Sequence, residues 1–118
     1  MDKISALQVF EALSSSARLD TYLLLVGAGG TGIVAGELAS RLDMAPSNLS
    51  FHLKNLAHAG LVTVEQEGRF QRYRANLALM RQVTGFLTDH CCGGHPEQCA
   101  ELAASANSAN ASPSCCEP

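Results

Sequence analysis

The sequence predicts a mainly α-helical fold with one β-hairpin (α+β), and three consecutive stretches carry that prediction. The stretch from Gly36 to Asp43 has one apolar side at helical spacing, and a second amphipathic helix is predicted from Pro46 to Gly60. Leu61 to Ala75 is typical of two short strands joined by a turn. Two helices around a tight turn, followed by a hairpin, indicate a winged helix-turn-helix.

Two further helices are predicted before this unit. The first repeats its large apolar residues at helical spacing and ends at three serines, one of which can cap the next helix. That helix is predicted over Ala17 to Val26. Gly27 to Gly32 is predicted to be a flexible loop, and it has no following Lys-Ser/Thr, so a phosphate-binding loop is rejected.

The helix that begins at Pro46 has two contrasting sides. Leu49, Leu53 and Leu56 lie on one side and are predicted to face the core. The other surface is polar or positive and has no acidic residue, which suits an approach to phosphates and base edges. The candidate DNA-binding residues of this helix are Ser47, Asn48, Ser50, Phe51 and Lys54. The alternative is an ordinary amphipathic helix with a solvated face.

The hairpin is predicted to be the wing. Leu61 to Val64 forms its first strand, Glu67-Gly68 the turn and Arg69 to Ala75 the second strand. Arg69 and Arg72 are its candidate DNA-binding residues. A solvated hairpin edge, on which arginines prevent pairing with other chains, is the alternative.

Charge is unevenly distributed along the 118 residues. The net charge is −3, yet positions 41–74 hold five Lys or Arg against three acidic residues. Positions 89–118 hold four acidic residues and no Lys or Arg. The positive surface is therefore local, and only moderate non-specific affinity for DNA is expected.

A last helix is predicted from Leu77 to His90, with Asn76 as its cap. A domain this small gains little stability from its own core. The first and last helices both have wide apolar faces, so they are predicted to form a two-fold dimer interface. The residues assigned to it are Leu7, Phe10, Val83 and Phe86. The alternative is that these helices only close the core of the monomer.

Nothing in the sequence resembles a signal peptide or a membrane span, so a cytoplasmic protein without membrane contact is expected. Residues 1–92 are predicted to form the DNA-binding and dimerisation domain. Residues 93–118 are predicted to form a flexible cysteine-containing tail, because they are mainly small and polar. In a reducing compartment the five cysteines are better suited to metal binding or redox chemistry than to structural disulfides.

Three cysteines follow the predicted last helix. Cys91 and Cys92 are adjacent, and Gly93-Gly94-His95-Pro96 can bring Cys99 back to them. Three thiolates suit a pyramidal, thiophilic ion such as As(III) or Sb(III) better than tetrahedral zinc, although a nearby histidine could complete a zinc site. Incidental thiols are the alternative. Cys115 and Cys116 are interpreted as accessory.

The stretches LSSSARLDTYLLL and GELASRLDMAPSNLSFHLKNLAHAGLVTVEQEGRFQRYRA resemble the ArsR/SmtB family of winged-helix metal-responsive repressors. The resemblance implies a homodimer that represses an operon and leaves its operator when an ion binds. Many arsenic-sensing members have a Cys-x-Cys where this chain has Val34 and Gly36. The chain instead resembles the subgroup whose arsenite site is a C-terminal Cys-Cys plus a later Cys, which implies Cys91, Cys92 and Cys99. Phe51 stands where the family often has histidine, and suggests contact with a thymine methyl group.

The sequence thus predicts a homodimeric repressor, not an enzyme, that binds double-stranded operator DNA and is released by As(III) or Sb(III), with no organic cofactor. Two alternatives stay open. One is a zinc-, cadmium- or lead-responsive repressor of the same fold, and the other is a transcription factor switched by thiol oxidation.

Overall fold

The computed structural model describes residues 1–89. In chain order, the elements are α1 (Lys3–Leu13), α2 (Ser16–Ala28), a single 3-10 turn (Gly29–Thr31), β1 (Ile33–Val34), α3 (Ala35–Leu42), α4 (Pro46–His58), β2 (Val62–Glu67), β3 (Phe70–Ala75) and α5 (Leu77–Thr88). This mainly helical architecture with an antiparallel hairpin confirms the predicted fold class.

Side-chain caps set the starts of three helices. Asp2 accepts a hydrogen bond from the Ser5 amide at 2.9 Å at the start of α1. Ser15 accepts from the Arg18 amide at the start of α2, so one of the three serines is a cap, as predicted. Asn76 is likewise the predicted cap of α5.

The glycine-rich segment before α3 differs from its prediction. Gly27 and Ala28 extend α2, and Ile33–Val34 forms β1, which pairs antiparallel with β3. The sheet therefore has three strands in the order β1-β3-β2, and β3 is its central strand. A two-residue strand is too short to show the alternation by which a strand is predicted, so β1 was missed.

The core lies between α2, α3, α4 and the base of the hairpin. Leu49, Leu53 and Leu56 of α4 are all buried, which confirms the orientation predicted for this helix. They pack in one cluster with Leu25 of α2 and Leu38 of α3. This cluster fixes the orientation of α4 relative to α2 and α3, because its leucines pack the three helices against one another.

The end of α4 is joined to the start of α5. Gly60 has a positive φ of +83°, and the Leu61 amide donates back to the Leu56 carbonyl at 2.9 Å, as expected after a C-terminal helix glycine. The Asn76 side-chain amide donates to the Gly60 carbonyl at 2.9 Å, while its carbonyl oxygen caps the Leu79 amide. One asparagine thus links the end of α4 to the beginning of α5.

In the part of the chain that the structure describes, no helix is both long enough and apolar enough to cross a membrane.

Candidate nucleic-acid interface

Helix α4 presents a polar surface on the side away from the core. Its candidate DNA-binding residues are all exposed: Ser47, Asn48, Ser50, Phe51 and Lys54. Pro46 occupies the first turn and no side chain caps this end. The free amides of a first helical turn can donate to an anion such as a phosphate.

Phe51 is the large apolar side chain on this surface, and 62% of it is exposed. Its ring meets the His52 ring edge-on, with centroids 5.8 Å apart. His52 is half-buried beside the core face, as the helix geometry predicts, and its Nδ1 has no hydrogen-bond partner among residues 1–89. Asn55 donates to the Phe51 carbonyl at 3.2 Å, so its amide is directed back to the helix.

Arg72 on β3 is held by two partners. Its Nε lies 3.0 Å from both carboxylate oxygens of Glu67, and its Nη1 donates to the Thr31 carbonyl at 3.1 Å. The sequence predicts the hairpin and assigns Arg72 to DNA, but it does not indicate these contacts to Glu67 and Thr31. In the structure its guanidinium is engaged within the protein and joins the wing to the turn between α2 and α3.

Arg74, two residues further along β3, repeats this arrangement. Its Nη1 lies 2.8 Å from a carboxylate oxygen of Glu65, and its Nε donates to the Gly30 carbonyl at 2.8 Å. Side chains two positions apart in a strand lie on the same face, so both arginines reach the same turn. We call these two arginines, with Glu65 and Glu67, the arginine clamp.

Gly32 allows the clamped turn to approach β3 closely. Its φ is +67°, and a Cβ added there would lie 2.5 Å from the Tyr73 carbonyl oxygen. Only glycine fits a backbone with this φ and so short an approach. Tyr73 itself is half-buried, and desolvation raises the pKa of its phenol.

Fewer Lys and Arg side chains are free of intramolecular ion pairs than the sequence indicated. Lys54 on α4 and Arg69 at the wing turn make no side-chain ion pair or hydrogen bond within residues 1–89. Arg41, by contrast, is paired with Glu37. The cations facing outward near the helix and the wing are therefore chiefly Lys54 and Arg69, and Phe70 is exposed next to the latter.

Comparison with known proteins identifies this architecture. A family model described as a helix-turn-helix domain matches residues 13–65. The arsenical resistance operon repressor of Bacillus subtilis is 33% identical over 85 residues, which cover 72% of this chain and 76% of that protein. The chain belongs to the ArsR/SmtB family. It is a winged-helix transcription regulator and not an enzyme.

Solved structures of ArsR-family proteins share the fold. An ArsR-like transcriptional regulator from Rhodococcus sp. RHA1 superposes with a TM-score of 0.66 at 31% identity, over 86% of this chain and 89% of that one. The homodimeric winged helix-turn-helix domain of a possible ArsR-family regulator from Mycobacterium bovis gives a TM-score of 0.56 at 27% identity, over 74% and 85% of the two chains.

Three of the four residues predicted at the ArsR-type dimer interface are accessible. Leu7 and Phe10 on α1 are 52% and 37% exposed, and Phe86 on α5 is half-buried. Val83 is only 3% exposed and packs in the core of the protomer. Its assignment to the interface is corrected, because the apolar face of α5 is divided between the core and the surface.

The sulfur ligands predicted from the sequence, Cys91, Cys92 and Cys99, lie outside the described residues. Within residues 1–89 no group of three or more His, Cys, Asp or Glu side chains could hold a metal ion. Val34 and Gly36, where many arsenic-sensing relatives are expected to have sulfur, flank the start of α3.

Proposed function

We propose that this ArsR-family protein is a homodimeric repressor that binds two-fold operator DNA and is released by As(III) or Sb(III). The observation that carries the DNA-binding part is the outward surface of α4, with exposed hydroxyls, an exposed amide and an unpaired Lys54. The contacts assigned to it come from Ser47, Asn48, Ser50, Phe51 and Lys54, with Arg69 from the wing.

Dimerisation is assigned to apolar residues of α1 and α5 that remain accessible at the surface of the protomer. Leu7 and Phe10 lie on α1, and Phe86 lies on α5. The homodimeric relative from Mycobacterium bovis supports dimerisation, and the choice of helices rests on their accessible apolar side chains. A two-fold dimer presents two α4 helices to major grooves one helical turn apart, about 34 Å, and so requires a two-fold operator.

The dimer assignment is tested by Phe86→Asp. A carboxylate in a packed apolar interface loses its hydration without a partner, so the variant should dissociate and lose operator binding. Gln82→Asp, at an exposed polar position of the same helix, is the matched control. Sedimentation equilibrium measures both variants. A stable Phe86→Asp dimer would exclude this residue from the interface.

The inducer is assigned from sulfur chemistry and from the relative. Three thiolates from Cys91, Cys92 and Cys99 match a pyramidal thiophilic ion, and the Bacillus subtilis relative is an arsenical resistance operon repressor. In this proposal residues 1–92 are the DNA-binding and dimerisation domain, and the tail 93–118 supplies the third sulfur. Ion binding releases DNA only if the ion prefers the dimer geometry that fits the operator less well.

Operator release is the experiment that tests the inducer. Reduced full-length protein on a labelled operator duplex is titrated separately with arsenite, antimonite, zinc and cadmium in excess reductant. Arsenite and antimonite should release the DNA. Release by zinc or cadmium alone would identify a sensor for those ions, and release only by oxidation would identify a thiol switch.

Serine variants locate the site. Cys91→Ser, Cys92→Ser and Cys99→Ser should each keep operator affinity but lose release by arsenite, because two sulfurs cannot complete the pyramidal site. The Cys115→Ser/Cys116→Ser double variant is the control and should respond normally. Loss of response in the double variant alone would move the site to the second cysteine pair.

A further inference from the structure

A straight line of side chains runs along the outward surface of α4. Ser47, Phe51, Lys54 and His58 follow one another at spacings of four, three and four residues, which places them on one face of the helix. All four are exposed. Phe51 lies near the middle of this line, opposite the buried leucines, so its ring points where a major groove would receive the helix.

Exposure alone would not give Phe51 a role, because single apolar side chains are common on protein surfaces. Its neighbours make the difference. The flanking serine and lysine are hydrogen-bonding groups, and Asn55, one turn further along, donates to the Phe51 carbonyl at 3.2 Å and is directed back to the helix. The ring is therefore the bulkiest group that this part of α4 offers to a base edge.

The chemistry of the ring restricts what it can recognise. A phenyl group neither donates nor accepts a conventional hydrogen bond. In the major groove the edges of guanine, adenine and cytosine present donors and acceptors, whereas thymine also presents an apolar C5-methyl group. A ring placed over the polar edges would remove water from groups it cannot satisfy, which is unfavourable. Contact with the methyl group carries no such penalty.

We infer that Phe51 is a specificity-determining residue that selects a 5-methylpyrimidine, thymine in ordinary DNA, in each half-site of the operator. This inference rests on the proposed function, since it requires α4 to enter the major groove. Lys54, one turn away, would hold the phosphate backbone while the ring selects the base.

The test removes single methyl groups from the DNA. The wild-type full-length protein first selects duplexes from a random-sequence library, and each thymine of the selected site is then replaced by deoxyuridine. At one position per half-site the wild type should bind about fourfold more weakly, the factor expected for one methyl group that is no longer buried. Phe51→Ala should bind the thymine and uracil duplexes equally.

Two further comparisons sharpen the test. Ser50→Ala, a change at a neighbouring exposed position, should lower overall affinity but keep the thymine-to-uracil ratio of the wild type, because consecutive helical side chains point about 100° apart. At the same position 5-methylcytosine should bind the wild type about fourfold better than cytosine, and Phe51→Ala should not distinguish them. A loss of the ratio in Ser50→Ala would assign the methyl contact to the serine.

The outcomes separate this inference from the function on which it rests. Wild-type protein that binds selected DNA but is indifferent to every uracil substitution overturns the role of Phe51 alone. A Phe51→Ala variant that keeps the wild-type ratio does the same. Failure of the wild type to select any duplex would overturn the proposed function, and the inference with it.

Discussion

Replacing Gly32 with alanine should destabilise the protein more than any other glycine substitution in the turn before β1. The new Cβ would meet two obstacles. The first is the backbone conformation, φ +67° with ψ −174°, which costs a residue with a side chain about 1–3 kcal/mol. The second is the Tyr73 carbonyl oxygen, only 2.5 Å from the Cβ position.

The second obstacle cannot be relieved by rotating a side chain. Tyr73 belongs to β3, and Ile33 is its pairing partner on β1. Moving the turn away would weaken the β1–β3 hydrogen bonds and the Arg72 and Arg74 contacts to the Thr31 and Gly30 carbonyls. At about 0.5–1.5 kcal/mol for each hydrogen bond lost, the whole substitution should cost about 3–5 kcal/mol.

Two neighbouring glycines separate the contributions. Gly29 also has a positive φ, +61°, but its added Cβ would have no atom within 4 Å, so Gly29→Ala should show the conformational cost alone. Gly30 has neither feature, and Gly30→Ala should be neutral or stabilising by up to about 1 kcal/mol.

Urea unfolding followed by circular dichroism measures the series. All variants are compared at one protein concentration, so that the proposed dimerisation contributes equally to each. The reasoning requires the order Gly32→Ala, then Gly29→Ala, then Gly30→Ala, from most to least destabilised. A Gly32→Ala variant within about 0.5 kcal/mol of Gly29→Ala would refute the close approach of the turn to β3, since only the shared conformational cost would remain.

The structure supports three other predictions. Lys54→Ala and Arg69→Ala should each reduce the slope of log binding constant against log salt concentration by about one unit if each contacts a phosphate, whereas Arg72→Ala should leave this slope unchanged. Fluorescence anisotropy at several salt concentrations measures the slopes. Equal slopes for all three variants would contradict this prediction. Asn76→Ala should cost about 1–3 kcal/mol in urea unfolding, because it removes the α5 cap and the bond to the Gly60 carbonyl, and Asn76→Asp, which keeps a capping oxygen, should cost less. Leu56→Ala should cost about 2–5 kcal/mol, because its side chain is fully buried; a loss below 1 kcal/mol would contradict its place in the core.

Local patterns in the sequence were sufficient to predict the five α-helices of residues 1–89 and the side of α4 that faces the core. Apolar spacing predicted which leucines of α4 are buried, and a serine and an asparagine predicted two caps. These features depend on residues within a few positions of each other, where helical geometry is nearly fixed.

What local patterns did not indicate are contacts that depend on tertiary structure and strand register. Arg72 meets Thr31 across 41 residues, and no local pattern indicates that a main-chain carbonyl will lie there. Its ion pair with Glu67 depends on the strand register, which the predicted turn position did not define. Val83 was assigned to the interface because the width of an apolar helix face does not reveal which part the protomer itself covers.

The arginine clamp has a consequence for exchanging parts between regulators of this family. A two-stranded hairpin is barely stable alone, and here β3 is bordered on its other side by β1, some forty residues earlier in the chain. A wing transplanted without the segment 29–34 would lose one strand neighbour and two carbonyl acceptors for its arginines. The exchangeable module is therefore discontinuous, and chimaeras should carry both segments from the same parent.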